Sequence, residues 1–207
     1  MTEFVRELSL GGNDIEIHQE SIGDVNCIVW DSALVCCYYF AKNKSAFEKL
    51  KVVELGAGTA VCSLTLASMG CQVEATDLPE YLGLIQKNID ANSQTIESAG
   101  GSCEARPLDW NDPLERKECD LLLLVDCIYY NDSIEPLIRT IRSFDAKRIL
   151  CAYEIRDCGQ PVQAQKLFMD RIKEHFDLRP VPPKDLDPEL QSPEILLLDL
   201  VPKIAVV

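Results

Sequence analysis

Basic residues are scarce in this chain of 207 residues. Twenty lysines and arginines stand against 34 aspartates and glutamates, which gives a formal net charge of −14. Nucleic-acid backbones and anionic membranes are bound through basic patches, so this charge argues against both as partners. It permits a basic target such as a lysine-bearing segment of another protein, although a solvated acidic surface is the commoner meaning of such a charge.

Long apolar runs are missing as well. Hydrophobic residues make up 47% of the chain, enough for a sizeable core, but no run of about 18 of them is present to span a membrane. Residues 1–7 mix acids with apolar residues and lack the basic start and apolar centre of a signal peptide. We therefore expect a soluble, cytoplasmic protein, and a monomer is its expected form.

Histidine is rare, and the Cys-x-x-Cys spacing is absent. The chain has only two histidines, and none of its ten cysteines forms a Cys-x-x-Cys pair. A zinc site needs ligands at short, fixed spacing, so we predict no metal. Several cysteines, including Cys127 and Cys151, lie inside apolar runs, which is typical of buried reduced thiols.

Among the features that are present, residues 52–60 are the most informative. Their sequence, VVELGAGTA, reads as a buried strand that runs into a glycine turn and then a helix. Gly56 can take backbone angles closed to other residues, and Gly58 lets the main chain approach a ligand. Asp77 follows Gly56 by 21 residues, where the acidic residue of a nucleotide-binding βαβ unit binds ribose hydroxyls.

The small positions in this turn indicate which cofactor it serves. The dinucleotide pattern needs glycine or alanine where this chain has Val61, so a hydride-transfer cofactor is disfavoured. Glu54, Gly56, Gly58 and Ala60 instead resemble the acidic-x-Gly-x-Gly-x-small pattern of class I S-adenosylmethionine methyltransferases. Many members of that class have glycine at the position of Ala60. An ordinary strand-to-helix turn is the alternative interpretation.

Three further motifs resemble the family 16 methyltransferases. They are Val29-Trp30-Asp31, Leu108-Asp109-Trp110 and Asp126-Cys127-Ile128-Tyr129, the last of which matches the family's Asp/Glu-x-x-Tyr/Phe motif after the fourth strand. Within that family, the runs 126–130 and 151–156 are most similar to the valosin-containing-protein lysine methyltransferases. The resemblance extends over nearly the full length of the chain.

Apolar runs that alternate with helical patterns predict the fold. We expect a single methyltransferase domain over 1–207, with a Rossmann-like α/β core at 51–207 and an N-terminal β-hairpin extension at 1–20. The core should hold a seven-stranded, mostly parallel sheet with an antiparallel last strand and helices on both faces. The predicted strands lie near 51–55, 72–76, 103–107, 120–125, 147–153, 176–181 and 195–201, and the predicted helices near 59–69, 79–92, 133–143 and 161–174. The proline-interrupted segment 180–193 predicts an extended loop.

The resemblance also implies the roles of individual residues. It places the S-adenosylmethionine site at Trp30, Glu54, Gly56, Ala57, Gly58, Asp77, Trp110 and Val125. Beside that site we expect Asp126 to attract and orient a lysine, and Tyr129 and Tyr153 to form an aromatic wall for a methylated ammonium. The alternative is that Asp126 and Tyr129 are helix-start residues only. Glu154 is expected either to bind the target or to form a structural salt bridge.

The resemblance implies a protein substrate, the AAA ATPase valosin-containing protein. Two other functions stay open at this point. The chain is also compatible with a methyltransferase for a small molecule or another side chain, because the nucleotide half of the site is common to all of them. It is compatible, too, with a non-catalytic protein that docks a chaperone or an ATPase.

Overall fold

Nine strands and six helices follow one another along the part of the chain that the computed structural model describes, residues 3–20, 27–112 and 115–203. The strands are β1 Glu3–Leu10, β2 Asn13–Glu20, β3 Lys51–Leu55, β4 Gln72–Asp77, β5 Ser102–Pro107, β6 Lys117–Val125, β7 Phe144–Glu154, β8 Phe176–Pro180 and β9 Ile195–Pro202. The helices are α1 Asp31–Lys42, α2 Val61–Ala67, α3 Leu82–Ala91, α4 Ser93–Ser98, α5 Asn131–Ser143 and α6 Gln160–Ile172. None of these helices is both long enough and apolar enough to cross a bilayer.

Seven of the strands form one sheet in the order β5-β4-β3-β6-β7-β9-β8. Strands β3 to β7 pair in parallel, whereas β9 is antiparallel to both of its neighbours. This arrangement confirms the predicted Rossmann-like sheet and its antiparallel last strand. The chain moves outward from β3 through β4 to β5 and then returns to β6 on the other side of β3. Ligands of open α/β sheets bind at such a reversal, beyond the carboxyl ends of the strands.

The central strand β6 is covered on both faces. Leu121 and Leu123 belong to a hydrophobic cluster that contains residues of α1, α2 and α3, whereas Leu122 and Leu124 belong to a second cluster with α5 and α6. Successive residues of a strand point to opposite faces, so a continuous apolar run fits a strand between two helical layers. Burial of this run holds the ends of β3 and β6 side by side.

The N-terminal hairpin is a separate two-stranded sheet, as predicted. Strands β1 and β2 pair antiparallel around Gly11 and Gly12. Leu10, Ile15 and Ile17 are buried in the same hydrophobic cluster as α2 and α3, so the hairpin is packed onto the core.

The helix predictions and the structure differ at four helices. No bounds were predicted for α1, and α4 was not predicted. The helix predicted from residue 59 begins at Val61, because Ala60 has the left-handed φ of +61° and lies outside the helical run. The helix predicted over 79–92 is divided into a 3-10 turn at Pro79–Tyr81 and the helix α3.

The segment 180–193, which was predicted as an extended loop, contains one short 3-10 turn at Pro183–Asp185.

Candidate active site

The turn after β3 is built on left-handed backbone. Gly56 has a φ of +66° and Gly58 a φ of +55°, a region that residues with a Cβ rarely adopt. Space at Gly56 is also limited, because a Cβ there would lie 3.0 Å from the sulfur of Cys127 and 3.3 Å from the indole of Trp110. Glycine is therefore required at position 56 both by conformation and by close packing.

Asp77, at the end of β4, braces this turn. Its Oδ2 accepts a hydrogen bond of 2.8 Å from the backbone N–H of Gly58, and its Oδ1 accepts one of 2.8 Å from the N–H of Leu78. The side chain is buried. The sequence predicted Asp77 as a ribose ligand, and the structure adds that the same carboxylate holds the glycine turn in place.

Two cavities beside the turn share Tyr129 and Tyr130 in their walls. The first has a volume of about 300 Å³. The predicted site residues that line it are Trp30, Glu54, Gly56, Ala57, Gly58, Val125, Asp126 and Tyr129. The second cavity, of about 200 Å³, is lined by the predicted residues Asp77, Trp110 and Tyr129. The structure thus brings ten of the twelve predicted residues to two adjoining cavities at the point where the strand order reverses.

Glu54 lies almost fully buried in the wall of the first cavity. One carboxylate oxygen accepts hydrogen bonds from the backbone N–H of Ser63, at 2.9 Å, and from the Ser63 hydroxyl. Burial raises the pKa of Glu54 to about 8, although the bonds from Ser63 act in the opposite direction. The carboxyl group is therefore mostly protonated at neutral pH.

Asp126 follows β6 with a left-handed φ of +51°. Its Oδ2 accepts a hydrogen bond of 2.5 Å from the hydroxyl of Ser32, and its Oδ1 accepts one of 3.3 Å from the backbone N–H of Glu154. Burial raises the pKa of Asp126, while these two hydrogen bonds and the nearby Arg156 oppose the rise. The carboxylate is fixed at the wall of the first cavity and remains only partly buried.

Arg156 is a site residue that the sequence reasoning did not assign. Its guanidinium lies 5.2 Å from the centre of the Trp30 ring and 2.8 Å from the carboxylate of Glu154, and it lines the first cavity. The motif run 151–156 contained the residue, but nothing in the spacing connected it to Trp30. Glu154 therefore forms the salt bridge that was one of its two expected roles.

Tyr153 requires a correction. The ring is only 4% exposed and lies in the hydrophobic cluster of α5 and α6, with Ile134 and Leu137, so it is absent from the described wall of the first cavity. Its place follows from the alternation of faces along β7. Burial raises the pKa of Tyr153 to about 12. The tyrosine that lines both cavities together with Tyr129 is Tyr130, which is exposed and lies edge-on to Tyr129 with 4.6 Å between ring centres.

Comparison with protein families gives a match over most of the chain. A family model described as lysine methyltransferase matches residues 9–175. The human methyltransferase-like protein 21E pseudogene is 33% identical over 182 residues, and the bovine protein-lysine methyltransferase METTL21E is 31% identical over 180 residues. Each alignment covers 82% of this chain, which spans only 64% and 59% of those two relatives.

Two further comparisons bear on activity and fold. EEF1A lysine methyltransferase 3 of Xenopus tropicalis is 37% identical over 116 residues, which cover 55% of this chain and 50% of that protein. Among solved structures, the glycopeptide N-methyltransferase MtfA complexed with sinefungin is similar, with a TM-score of 0.61 and 12% identity. That alignment covers 89% of this chain and 96% of MtfA. The likeness to MtfA shows a shared fold.

Proposed function

This chain belongs to the lysine methyltransferase family, and from that membership we propose that it transfers methyl groups from S-adenosylmethionine to lysine side chains of a protein. The observation that carries the proposal is the meeting of two residue sets at the adjoining cavities. The glycine turn and Asp77 belong to the expected cofactor site, and Asp126 and Tyr129 belong to the expected lysine site.

The residues present fit S-adenosylmethionine. Asp77 and Trp110 in the second cavity would hold the nucleoside, since a carboxylate suits a ribose diol and an indole offers a flat apolar surface to a base. The backbone of residues 56–58 and the ring of Trp30 in the first cavity would hold the amino-acid part. Bound there, the cofactor supplies a methyl group on a positively charged sulfur.

The protein must bring a neutral lysine amine to the first cavity. Free lysine has a pKa of about 10.4, so the amine must lose a proton before it can attack. The carboxylate of Asp126 attracts the ammonium ion and orients it, but alone it would also stabilise the charge. Partial exclusion of water from the first cavity disfavours the charged form and lowers the lysine pKa, whereas Arg156 contributes little because Glu154 pairs with its guanidinium. Water then carries the proton away.

The aromatic side chains at the cavity wall affect whether one lysine can be methylated more than once. Tyr129 and Tyr130 stand edge to face, and both line the first cavity. A cation over an aromatic face gains about 0.5 to 2 kcal/mol. These tyrosines would therefore accept mono- and dimethylated ammonium groups and permit successive methylations.

The direct test uses purified protein, labelled S-adenosylmethionine and a whole-cell lysate. Calorimetry should first show that the cofactor binds. Mass analysis should then find label on lysine of a protein, and the Asp126→Asn variant should bind the cofactor but transfer little label. Label on metabolites would favour a small-molecule methyltransferase, and cofactor binding with no label at all would favour a non-catalytic protein on this fold.

For the target we propose a lysine of valosin-containing protein, supported by the similarity of residues 126–130 and 151–156 to the enzymes that modify it. EEF1A is the second candidate, because the name of the Xenopus tropicalis relative gives it as a substrate. To decide between them, each purified protein is incubated with enzyme and labelled cofactor, and the label on it is measured. If neither acquires label while another protein of the lysate does, both target proposals are wrong.

We further propose a cytoplasmic monomer. Eight of the ten cysteines are buried, which is typical of reduced thiols in a reducing compartment. Cell fractionation tests the location, and light scattering of the purified chain tests the oligomeric state. A membrane or secreted fraction, or a mass of twice 23.2 kDa, would contradict the corresponding proposal.

A further inference from the structure

Two asparagines of α3 and its C-terminal cap fasten the hairpin to the core. The side-chain amide of Asn92 accepts a hydrogen bond of 2.8 Å from the N–H of Glu16 and donates one of 2.7 Å to the carbonyl of the same residue. Asn88 does the same at His18, with distances of 2.7 and 3.1 Å. Each amide thus binds the backbone of β2 as a neighbouring strand would.

The spacing explains why these two positions work together. Four residues of a helix rise about 6 Å, and two residues of a strand rise about 6.6 to 6.8 Å. Asn88 and Asn92 therefore lie opposite alternate residues of β2, and both are buried. The pair satisfies backbone groups on the edge of β2 that faces away from β1.

Asn88 makes one contact that Asn92 does not. Its Nδ2 also donates a hydrogen bond of 3.0 Å to the carbonyl of Thr59, which lies between Gly58 and Ala60 in the turn after β3. The second N–H of Asn92 goes instead to the carbonyl of Asn88 within the helix, at 2.7 Å. A single buried amide thus joins the hairpin to the turn that lines the first cavity.

The turn is held at each of its inner residues. The N–H of Ala57 donates to the carbonyl of Thr76 at 3.0 Å, and that of Gly58 donates to Asp77 at 2.8 Å. Asn88 adds the bond at Thr59, the last residue before the left-handed Ala60. Left-handed backbone in residues other than glycine persists only where the surroundings enforce it.

We propose that Asn88 is a positioning residue for the cofactor turn, and that the N-terminal hairpin supports the cofactor site through it. The proposal rests on the proposed function, because it takes this turn as the binding site of S-adenosylmethionine. It goes beyond that function by giving the hairpin, which lines neither of the two cavities with its described residues, a part in cofactor binding.

The test compares Asn88→Ala and Asn88→Asp with the matched control Asn92→Ala in the full chain. Both alanine variants remove one hairpin attachment, so we expect both to lower the melting temperature by a similar amount. Only the Asn88 variants should raise the Kd for S-adenosylmethionine, by at least tenfold in calorimetry. In turnover assays the Asn88 variants should raise the KM for the cofactor with little change in kcat, as expected when binding alone is weakened.

Asn88→Asp keeps the size of the side chain and an acceptor for the His18 N–H, but it loses the donors to both carbonyls. Asn92→Asp is its matched control, because it places the same buried carboxylate at the other attachment, and this pair supplies a second comparison beside the alanine variants. An equal Kd for S-adenosylmethionine in the Asn88 and Asn92 variants would overturn the proposal. Asn88 would then only attach the hairpin to the core.

Amide hydrogen exchange measured without cofactor gives a readout that does not depend on the proposed function. We expect faster exchange at residues 57–60 in Asn88→Ala than in Asn92→Ala. Unchanged exchange there would overturn the proposal even in a protein that binds the cofactor. If the wild-type chain binds no S-adenosylmethionine but the exchange difference is found, the proposed function fails while the link from hairpin to turn stands.

Discussion

The hydroxyl of Ser32 lies 2.5 Å from Oδ2 of Asp126 and joins the first turn of α1 to the end of β6. Trp30 immediately precedes α1, and its ring lies 5.2 Å from the guanidinium of Arg156 in the wall of the first cavity. The expected cofactor residue Trp30 and the expected lysine ligand Asp126 are thereby held by the same helix start. Displacement of α1 would disturb both halves of the site.

Replacement of Asp126 by asparagine should remove transfer and spare cofactor binding. The amide keeps an oxygen that can accept the Ser32 hydrogen bond but lacks the negative charge that attracts a lysine ammonium. We expect kcat to fall at least 100-fold and the Kd for S-adenosylmethionine to change less than about twofold, as measured by turnover and calorimetry. Ser32→Ala, which keeps the charge but frees the carboxylate, should lower kcat by a smaller factor of about 10. Equal loss of cofactor affinity in both variants would show that Asp126 belongs to the cofactor site.

Replacement of Asp77 by alanine should weaken both cofactor binding and the fold. The substitution leaves the N–H groups of Gly58 and Leu78 without their carboxylate acceptor, which costs about 1 to 3 kcal/mol of unfolding free energy. We expect the Kd for S-adenosylmethionine to rise at least 100-fold in calorimetry, since the ribose ligand and the shape of the turn are both lost. Asp77→Asn, which keeps one oxygen, should recover part of the stability. A stable Asp77→Ala protein with wild-type affinity would exclude Asp77 from the site.

Sequence alone predicted the sheet because local patterns determined it. The continuous run Leu121–Leu124 needs burial on both faces, and the glycine turn needs left-handed backbone at Gly56 and Gly58, so both are visible in a short window. The seven strands of the sheet begin and end within three residues of their predicted bounds. The pairing of β1 with β2 could likewise be predicted from a short window, because the turn at Gly11 and Gly12 separates two alternating segments.

Contacts between distant segments were not predictable in this way. Ser32 reaches Asp126 across 94 residues, and Asn88 reaches His18 across 70, so no local pattern relates the partners. The error at Tyr153 has a similar cause. The motif placed the residue at the end of a strand next to the site, but only the pleat of β7 within the assembled sheet determines which face its ring occupies.

The tyrosines at the cavities should affect how many methyl groups are added. Tyr129→Ala removes an aromatic face that would hold a methylated ammonium, so we expect the yield of the second and third methylation to fall about 2- to 30-fold relative to the first. Tyr129→Phe keeps the ring and should retain most of that yield. Tyr153→Phe is the control, because its buried ring lies in the core and should leave the product ratio unchanged. Mass analysis of the modified peptide gives the ratios, and a shift with Tyr153→Phe equal to that with Tyr129→Ala would refute the assignment.

Glu54 should make the stability of the cofactor-free protein depend on pH. Its pKa is about 8 in the folded protein, mainly because of burial, and about 4.5 in the unfolded chain. The folded state therefore holds a proton that the unfolded state has lost between these values. The stability that the protonated carboxyl contributes is fully present below pH 4.5 and is lost as the pH rises through about 8.

Glu54→Gln provides the comparison, because the amide keeps an acceptor for the N–H of Ser63 and cannot ionise. The unfolding free energy of the wild type should fall relative to that of the variant by up to about 1.4 kcal/mol per pH unit between pH 5 and 8. Denaturant titrations of both proteins at several pH values measure this difference, in which the contributions of the other groups cancel. Parallel stability curves over that range would mean that Glu54 is already ionised in the folded protein, and that the Ser63 hydrogen bonds outweigh its burial.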